Sequence, residues 1–273
     1  MMDSFYDIVI AFFLYSFCGW LCELVYRSIH GRTMVNPGFL NGPICPIYGL
    51  CCLAVIYPLW PYRDNIAILF IFGMIICTAL EYITSFILEK LFNTRWWDYS
   101  HIKFNINGRV CLSFSLVFGV LSVIANKYLA PLFIALTEQV PAQVKLIVAW
   151  VLLGIFVCDI AATVYSILRL NGKLAELEKL SAELKTKLEA LQGGSLNLSQ
   201  RLEKYKEEAD DRSQAFRDNI EEFIERFEKL RNARHRFQHR RLFRAFPNMK
   251  STKYAEQLDQ IKALFKSRRD KKK

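Results

Sequence analysis

Five apolar runs dominate the first 170 residues, and each is close to the roughly 18–20 residues that cross a bilayer as a helix. They extend from Phe5 to Tyr26, Ile44 to Trp60, Ile66 to Leu88, Val110 to Leu129 and Val144 to Leu168. No basic segment precedes the first and no small-residue cleavage site follows it, so it reads as a retained span. The expected fold class is an all-α polytopic membrane protein with about five transmembrane helices. Whole-chain averages hide this: 53% hydrophobic and 23% charged are ordinary values. Residues 1–170 carry 10 Lys and Arg against 9 Asp and Glu, whereas residues 171–273 hold 26 against 17. The split argues for a transmembrane domain, 1–170, followed by a basic cytoplasmic tail, 171–273. It excludes a single soluble domain, a disulfide scaffold and a disordered chain.

Orientation follows from the bases in short loops. The N-terminus has Asp3 and Asp7 and no base. The first loop has Arg27 and Arg32. The second loop has Arg63 alone. The third has Lys90, Arg95, Lys103 and Arg109, and the fourth has Lys127 and Lys145. The pattern places the N-terminus outside and the first loop, third loop and tail in the cytoplasm. The expected location is the cytoplasmic membrane, and the two lysines of the fourth loop run against the pattern.

Three acids lie inside spans, where a charge costs at least about 2.5–3.5 kcal/mol and must face the bundle interior. Glu23 has Arg27 one helical turn on, Glu81 lies deeper with Arg109 as a candidate partner, and Asp159 is near the middle of the last span. They read as a proton, ion or headgroup site, or as polar clamps between helices. The eight cysteines lie in or beside spans without zinc-ligand spacing, as small buried residues do.

The densest motifs precede the second and fourth spans. The first is Asn36-Pro37-Gly38-Phe39-Leu40-Asn41-Gly42-Pro43-Ile44-Cys45-Pro46-Ile47-Tyr48-Gly49. The second includes Arg95-Trp96-Trp97-Asp98-Tyr99-Ser100 and ends Phe104-Asn105-Ile106-Asn107-Gly108-Arg109-Val110-Cys111. Both finish in Asn-Gly-x-aliphatic-Cys, and Tyr48 aligns with Phe114. A carboxylate lies upstream of each, Glu23 and Glu81. This suggests a parallel repeat, spans one and two matching spans three and four. Pro43 and Pro46 either break the backbone at membrane depth, which points to a polar pocket, or merely start a helix. Trp96 and Trp97 read as interface-belt residues, or as part of a cluster in which Arg95 and Asp98 anchor the loop so that His101 or Asn105 faces a ligand. The candidate polar site is therefore Glu23, Arg27, Asn36, Asn41, Glu81, Arg95, Trp97, Asp98, His101, Asn105, Asn107, Arg109 and Asp159.

The runs NPGFLNGPICPIYG, ALEYITSFILEKLFNTRWWDYS and FNINGRVCL, with the tail segment His239–Ser251, resemble the CmpB-like family of bacterial membrane proteins, the "putative ABC transporter type IV" family. The resemblance implies a permease component and, for an ABC system, a separate ATPase subunit. It brings no catalytic residues.

In the tail, Leu174, Leu177, Ser181, Leu184, Leu188 and Leu191 form a heptad seam, broken at Gly193-Gly194-Ser195. Phe216, Ile220, Phe223, Phe227 and Leu230 continue it, so residues 174–230 are expected to pair within the chain or make a homo-oligomer. Arg231–Arg244 holds six arginines and no acid. Arg234, Arg236, Arg240, Arg241 and Arg244 are candidate contacts for anionic lipid or an acidic partner, rather than nucleic acid. Tyr254, Leu258, Ile261, Leu264 and Phe265 suggest one more short helix.

No P-loop, zinc-protease or serine-hydrolase motif occurs. The expected function is a permease-like transport component with a cytoplasmic-side polar pocket, with no cofactor, no metal and no catalytic residue. The alternatives are a membrane enzyme acting on a lipid headgroup, in which Glu23, Glu81, His101, Asn107 and Arg109 would converge, or a non-transporting scaffold or sensor.

Overall fold

The structure is a computed structural model that describes residues 4–29, 36–189, 237–259 and 262. The chain divides into two units, one of Met1–Ile167 with Phe237–Lys253, the other of Leu168–Arg236 with Tyr254–Lys273. The first is the membrane unit. Its helices are α1 (Phe5–Ile29), α2 (Pro46–Leu59, prolonged by a 3-10 turn, Trp60–Tyr62), α3 (Ile66–Phe92), α4 (Leu112–Ile124), α5 (Ala130–Glu138) and the start of α6 (Ala142–Glu189). A π turn, Ala125–Leu129, fuses α4 to α5. Among the described residues, four helical stretches are long and apolar enough to cross a membrane: Phe5–Ile29, Ile66–Phe92, Leu112–Glu138 and Ala142–Lys179. The apolar segment Pro46–Tyr62 is shorter. The protein is thus an all-α polytopic membrane protein, with four helices of spanning length where the sequence suggested about five.

The shortness of α2 has a structural cause. The Cys45 amide donates to the Ser16 carbonyl at 2.9 Å, and Ser16 lies thirteen residues before the end of α1. At 1.5 Å per residue, α2 begins about 20 Å below that end. Residues 36–45 are therefore non-helical backbone inside the bundle, with Pro37, Gly38, Leu40 and Cys45 buried. Pro46 is the first residue of α2, where a proline sacrifices no helical backbone donor. The second motif loop dips too: near the start of α4, Ser115 accepts a 2.8 Å bond from Thr78, fourteen residues before the end of α3.

Small residues bring the helices together. A Cβ on Gly49 would lie 2.5 Å from the Phe12 carbonyl oxygen, and one on Gly119 3.0 Å from that of Phe70. Such close approach drives helix association where no hydrophobic effect operates. The core packs Ala11 and Tyr15 of α1 with Val55, Ile56, Leu69, Cys77 and Phe133. Ile71, Ile75 and Ile83 of α3 and Ile147, Val151 and Ile155 of α6 are exposed, an apolar exterior suited to lipid.

Lys127 proves to be a helical residue because the fourth span runs on through the π turn, and Lys145 lies in the first turn of α6. Lys145 is neutralised by Asp7 at 2.9 Å. Within the second unit, Leu170, Leu174 and Leu177 are buried along α6. The side chains of Leu184 and Leu188, together with residues 190–236 and 263–273, lie outside the described residues. The Gly193-Gly194 break, the 216–230 pattern, Arg234 and Arg236 fall among them.

Candidate functional site

Each motif loop is held by its own polar residues. In the first, Asn36 is the hub. Its Oδ1 accepts from Trp20 Nε1 (2.8 Å) and from the Gly38 amide (2.9 Å), while its Nδ2 donates to the Asn41 carbonyl at 2.8 Å. Asp159 of α6 grips the same loop. It accepts from the Asn41 amide (3.0 Å), Asn41 Nδ2 (2.8 Å) and the Gly42 amide (2.7 Å), and Thr163 completes the set. These bonds satisfy the freed backbone that hydrocarbon would otherwise leave bare.

The second loop folds as a hairpin in which three residues, Asn107 to Arg109, join β2 (Asn105–Ile106) to β3 (Val110–Cys111). Asn107 and Gly108 have φ of 54° and 68°, the left-handed pair that an Asn-Gly turn supplies. Asn105 accepts from the Gly108 amide and donates to the Ile102 carbonyl. Trp97 donates to the Arg109 carbonyl at 3.0 Å, and Asn107 donates to the Tyr82 hydroxyl. Arg95 and Arg109 share Glu89, at 3.1 and 2.9 Å. Arg109 therefore pairs with Glu89, about two turns further along α3, and not with Glu81, and its guanidinium lies over Tyr82 and Phe86. His101 is exposed.

The C-terminal segment closes over both loops. It comprises α7 (Phe237–Ala245) and β4 (Lys250–Ser251), which pairs antiparallel with β1 (Thr94–Arg95). Arg241 is 5% exposed and donates to the Gly38 carbonyl (2.6 Å) and the Phe39 carbonyl (2.8 Å). Burial lowers its pKa from the ordinary guanidinium value, opposed by the Asp159 carboxylate nearby. Arg241 is thus taken up inside the protein and does not face lipid, a correction to its sequence-based reading; Arg244 is exposed, and the side chain of Arg240 is not among those described. Lys250 bonds Asp98 at 2.6 Å. Burial raises the Asp98 pKa, but Lys250 and the Ser100 amide override it and hold the carboxyl down at about 2. Leu242 and Phe246 pack on Trp96, Phe92 and Phe39.

Beneath this clasp are two carboxylate–tyrosine pairs. Tyr48 of α2 donates to Glu23 of α1 at 2.9 Å, and Arg27 is 3.6 Å from the same carboxylate. Tyr99 of the second loop donates to Glu81 Oε1 at 3.4 Å and stacks on Phe114, with ring centroids 4.9 Å apart. Burial, then the Glu81 and Glu23 charges, push the Tyr99 phenol well above its usual range, so both glutamates act on one hydroxyl. Glu81 is 6% exposed, and its Oε2 has no hydrogen-bond partner among the described residues.

The candidate residues thus fall into three groups. Asn36, Asn41 and Asp159 build the first loop. Arg95, Trp97, Asp98, Asn105, Asn107 and Arg109 build the second. Glu23, Arg27 and Glu81 face the space between the helices. Among the described residues, none of Arg109, Asn107 and His101 makes a hydrogen bond or ion pair with Glu23 or Glu81. Tyr48, Tyr99, Glu89 and Lys250 are participants that residue-by-residue reading passed over. Glu89 carried a signal, since it stands eighteen residues before Asn107 as Glu23 stands before Asn41. Among the described residues no group of three His, Cys, Asp or Glu could hold a metal, and all eight cysteines are free thiols.

The model of the family described as "Putative ABC-transporter type IV" matches residues 10–164, more than half of the chain and both motif loops. No curated protein and no solved structure matches. The match and the apolar helices together mark a membrane transport-related protein. On that match, the chain belongs to the family described as "Putative ABC-transporter type IV".

Proposed function

We propose that the protein is a permease-like component in the cytoplasmic membrane, with a polar site between the two helix pairs and the clasp as its cytoplasmic cover. The observation that carries this reading is the pairing of Glu23 with Tyr48 and Glu81 with Tyr99 beside backbone that dips into the bundle. Ionisable side chains at that depth line substrate or ion paths, and non-helical backbone there is tolerated where it lines a path or is buried in protein. With no nucleotide-binding motif of its own, the protein draws on a separate ATPase subunit. The leucine seam beyond Leu170 serves to dock that partner or a second copy, and Arg244 serves an anionic surface.

The test compares the accumulated solutes of cells carrying the wild-type chain, Glu23→Gln or Glu81→Gln at equal membrane abundance. The reading expects both variants to change the same class of solute. Solute profiles identical to wild type would overturn it. Repeated isolation from native membranes without an ATPase chain would overturn the ABC version alone.

A further inference from the structure

Six carboxyl groups of the described membrane unit are buried or half-buried: Asp7, Glu23, Glu81, Glu89, Asp98 and Asp159. Five are compensated. Asp7 has Lys145, Glu23 has Arg27 and Tyr48, Glu89 has two arginines, Asp98 has Lys250 and a backbone amide, and Asp159 has two backbone amides and two side-chain donors. Glu81 is the exception: its one bond, from Tyr99, is long at 3.4 Å, and its Oε2 is sealed from solvent without a partner. Among the described residues it makes no ion pair, and Glu23 is close enough to add a repulsive charge. An isolated carboxylate in a medium of low polarity neutralises rather than stay charged.

We propose that Glu81 is a proton-binding site, its Oε2 carrying the proton while Oε1 accepts from Tyr99. The groups facing it fit a neutral carboxyl. Glu23 comes from α1 and carries the like charge. The Cys51 thiol comes from α2, Cys77 lies one turn earlier on α3, and Tyr99 comes from the second loop. None is a cation. Loading forms an O–H bond at Oε2, and unloading passes that proton to water admitted when the second loop lifts Tyr99 away. Proton occupancy rests on the geometry. Its use rests on the transport reading: unloading leaves a carboxylate that binds a cationic group of the solute.

Infrared spectra of the full chain in lipid membranes test occupancy, independently of any transport assay. At neutral pH the wild type is expected to show a protonated-carboxyl C=O band that shifts in D2O and fades as pH is raised. The band should vanish in Glu81→Gln, move in Glu81→Asp and persist in Glu23→Gln. Absence of the band from the wild type at neutral pH, or its persistence in Glu81→Gln, overturns the proposal. Neither result touches the solute comparison above, so the two readings fail separately.

Discussion

At the scale of single residues, Asp159 and Asp98 hold backbone in place through charge. Asp159 binds two consecutive loop amides and a side-chain amide with one carboxylate. In Asp159→Asn, one of those acceptors becomes an NH2 group facing an N–H. A hydrogen bond to a charged group is worth about 1.5–3 kcal/mol, so we expect a loss of about 2–4 kcal/mol in unfolding of the detergent-solubilised chain. A change below the error of the measurement would show that the loop is held by other means. Asp98 gives a pH dependence. Its folded-state pKa, about 2, lies below the unfolded value near 3.9. A depressed acid stabilises the fold above the unfolded value, and that contribution is lost as pH falls from about 4 through about 2. The Trp96 ring packs edge-on against Phe246 at 5.2 Å. A fluorinated Trp96 should therefore report release of the clasp in that window, and Lys250→Met should move release to higher pH. A pH response unchanged by Lys250→Met would separate the clasp from Asp98.

At the scale of elements, the helix pairs and the clasp make different demands on side-chain size and shape. A Cβ on Gly119 would meet Phe70 at 2.8 Å, whereas nothing lies within 4 Å of one on Gly154. We expect Gly119→Leu to cost about 1–3 kcal/mol by overpacking and Gly154→Leu to leave thermal stability within error. The clasp depends on a planar fork. Arg241 reaches two successive carbonyls, and a lysine has a single ammonium. Arg241→Lys should retain part of the clasp, while Arg241→Ala should release Trp96 at neutral pH. The loops account for what sequence could and could not show. The φ values of Asn107-Gly108 favour those two residue types, but the sequence reading takes the segment only as a motif loop and places no hairpin there. The similar Asn41-Gly42 adopts no hairpin, because Asp159, 117 residues away, collects both amides. That contact is tertiary and left no local trace. The same is true of Arg241, which belongs to a basic run in sequence and to the loop carbonyls in space.

At the scale of the whole membrane unit, charge sorts by end. Both motif loops, β4 and Arg241 share the end at which α1 finishes, and Asp7 with Lys145 marks the opposite end. The five-run reading located the helices, and the second run, expected over Ile44–Trp60, is the shorter apolar segment Pro46–Tyr62. The lysines that ran against the orientation pattern are explained by the same geometry: one is helical and the other is paired. Arg27, Lys90, Arg95, Lys103, Arg109, Arg244 and Lys250 lie at the loop end, and Arg63 with Asp64 lies in the turn before α3. On the positive-inside rule, we expect the loop end to face the cytoplasm. In a chain whose native cysteines are replaced, a cysteine at Asp64 should react with an impermeant maleimide on intact spheroplasts. One at Lys103 should react only after the membrane is opened. The reverse order would invert the molecule and place the clasp outside, where it could not cover a cytoplasmic path. Equal labelling of both on intact spheroplasts would remove the spanning arrangement itself.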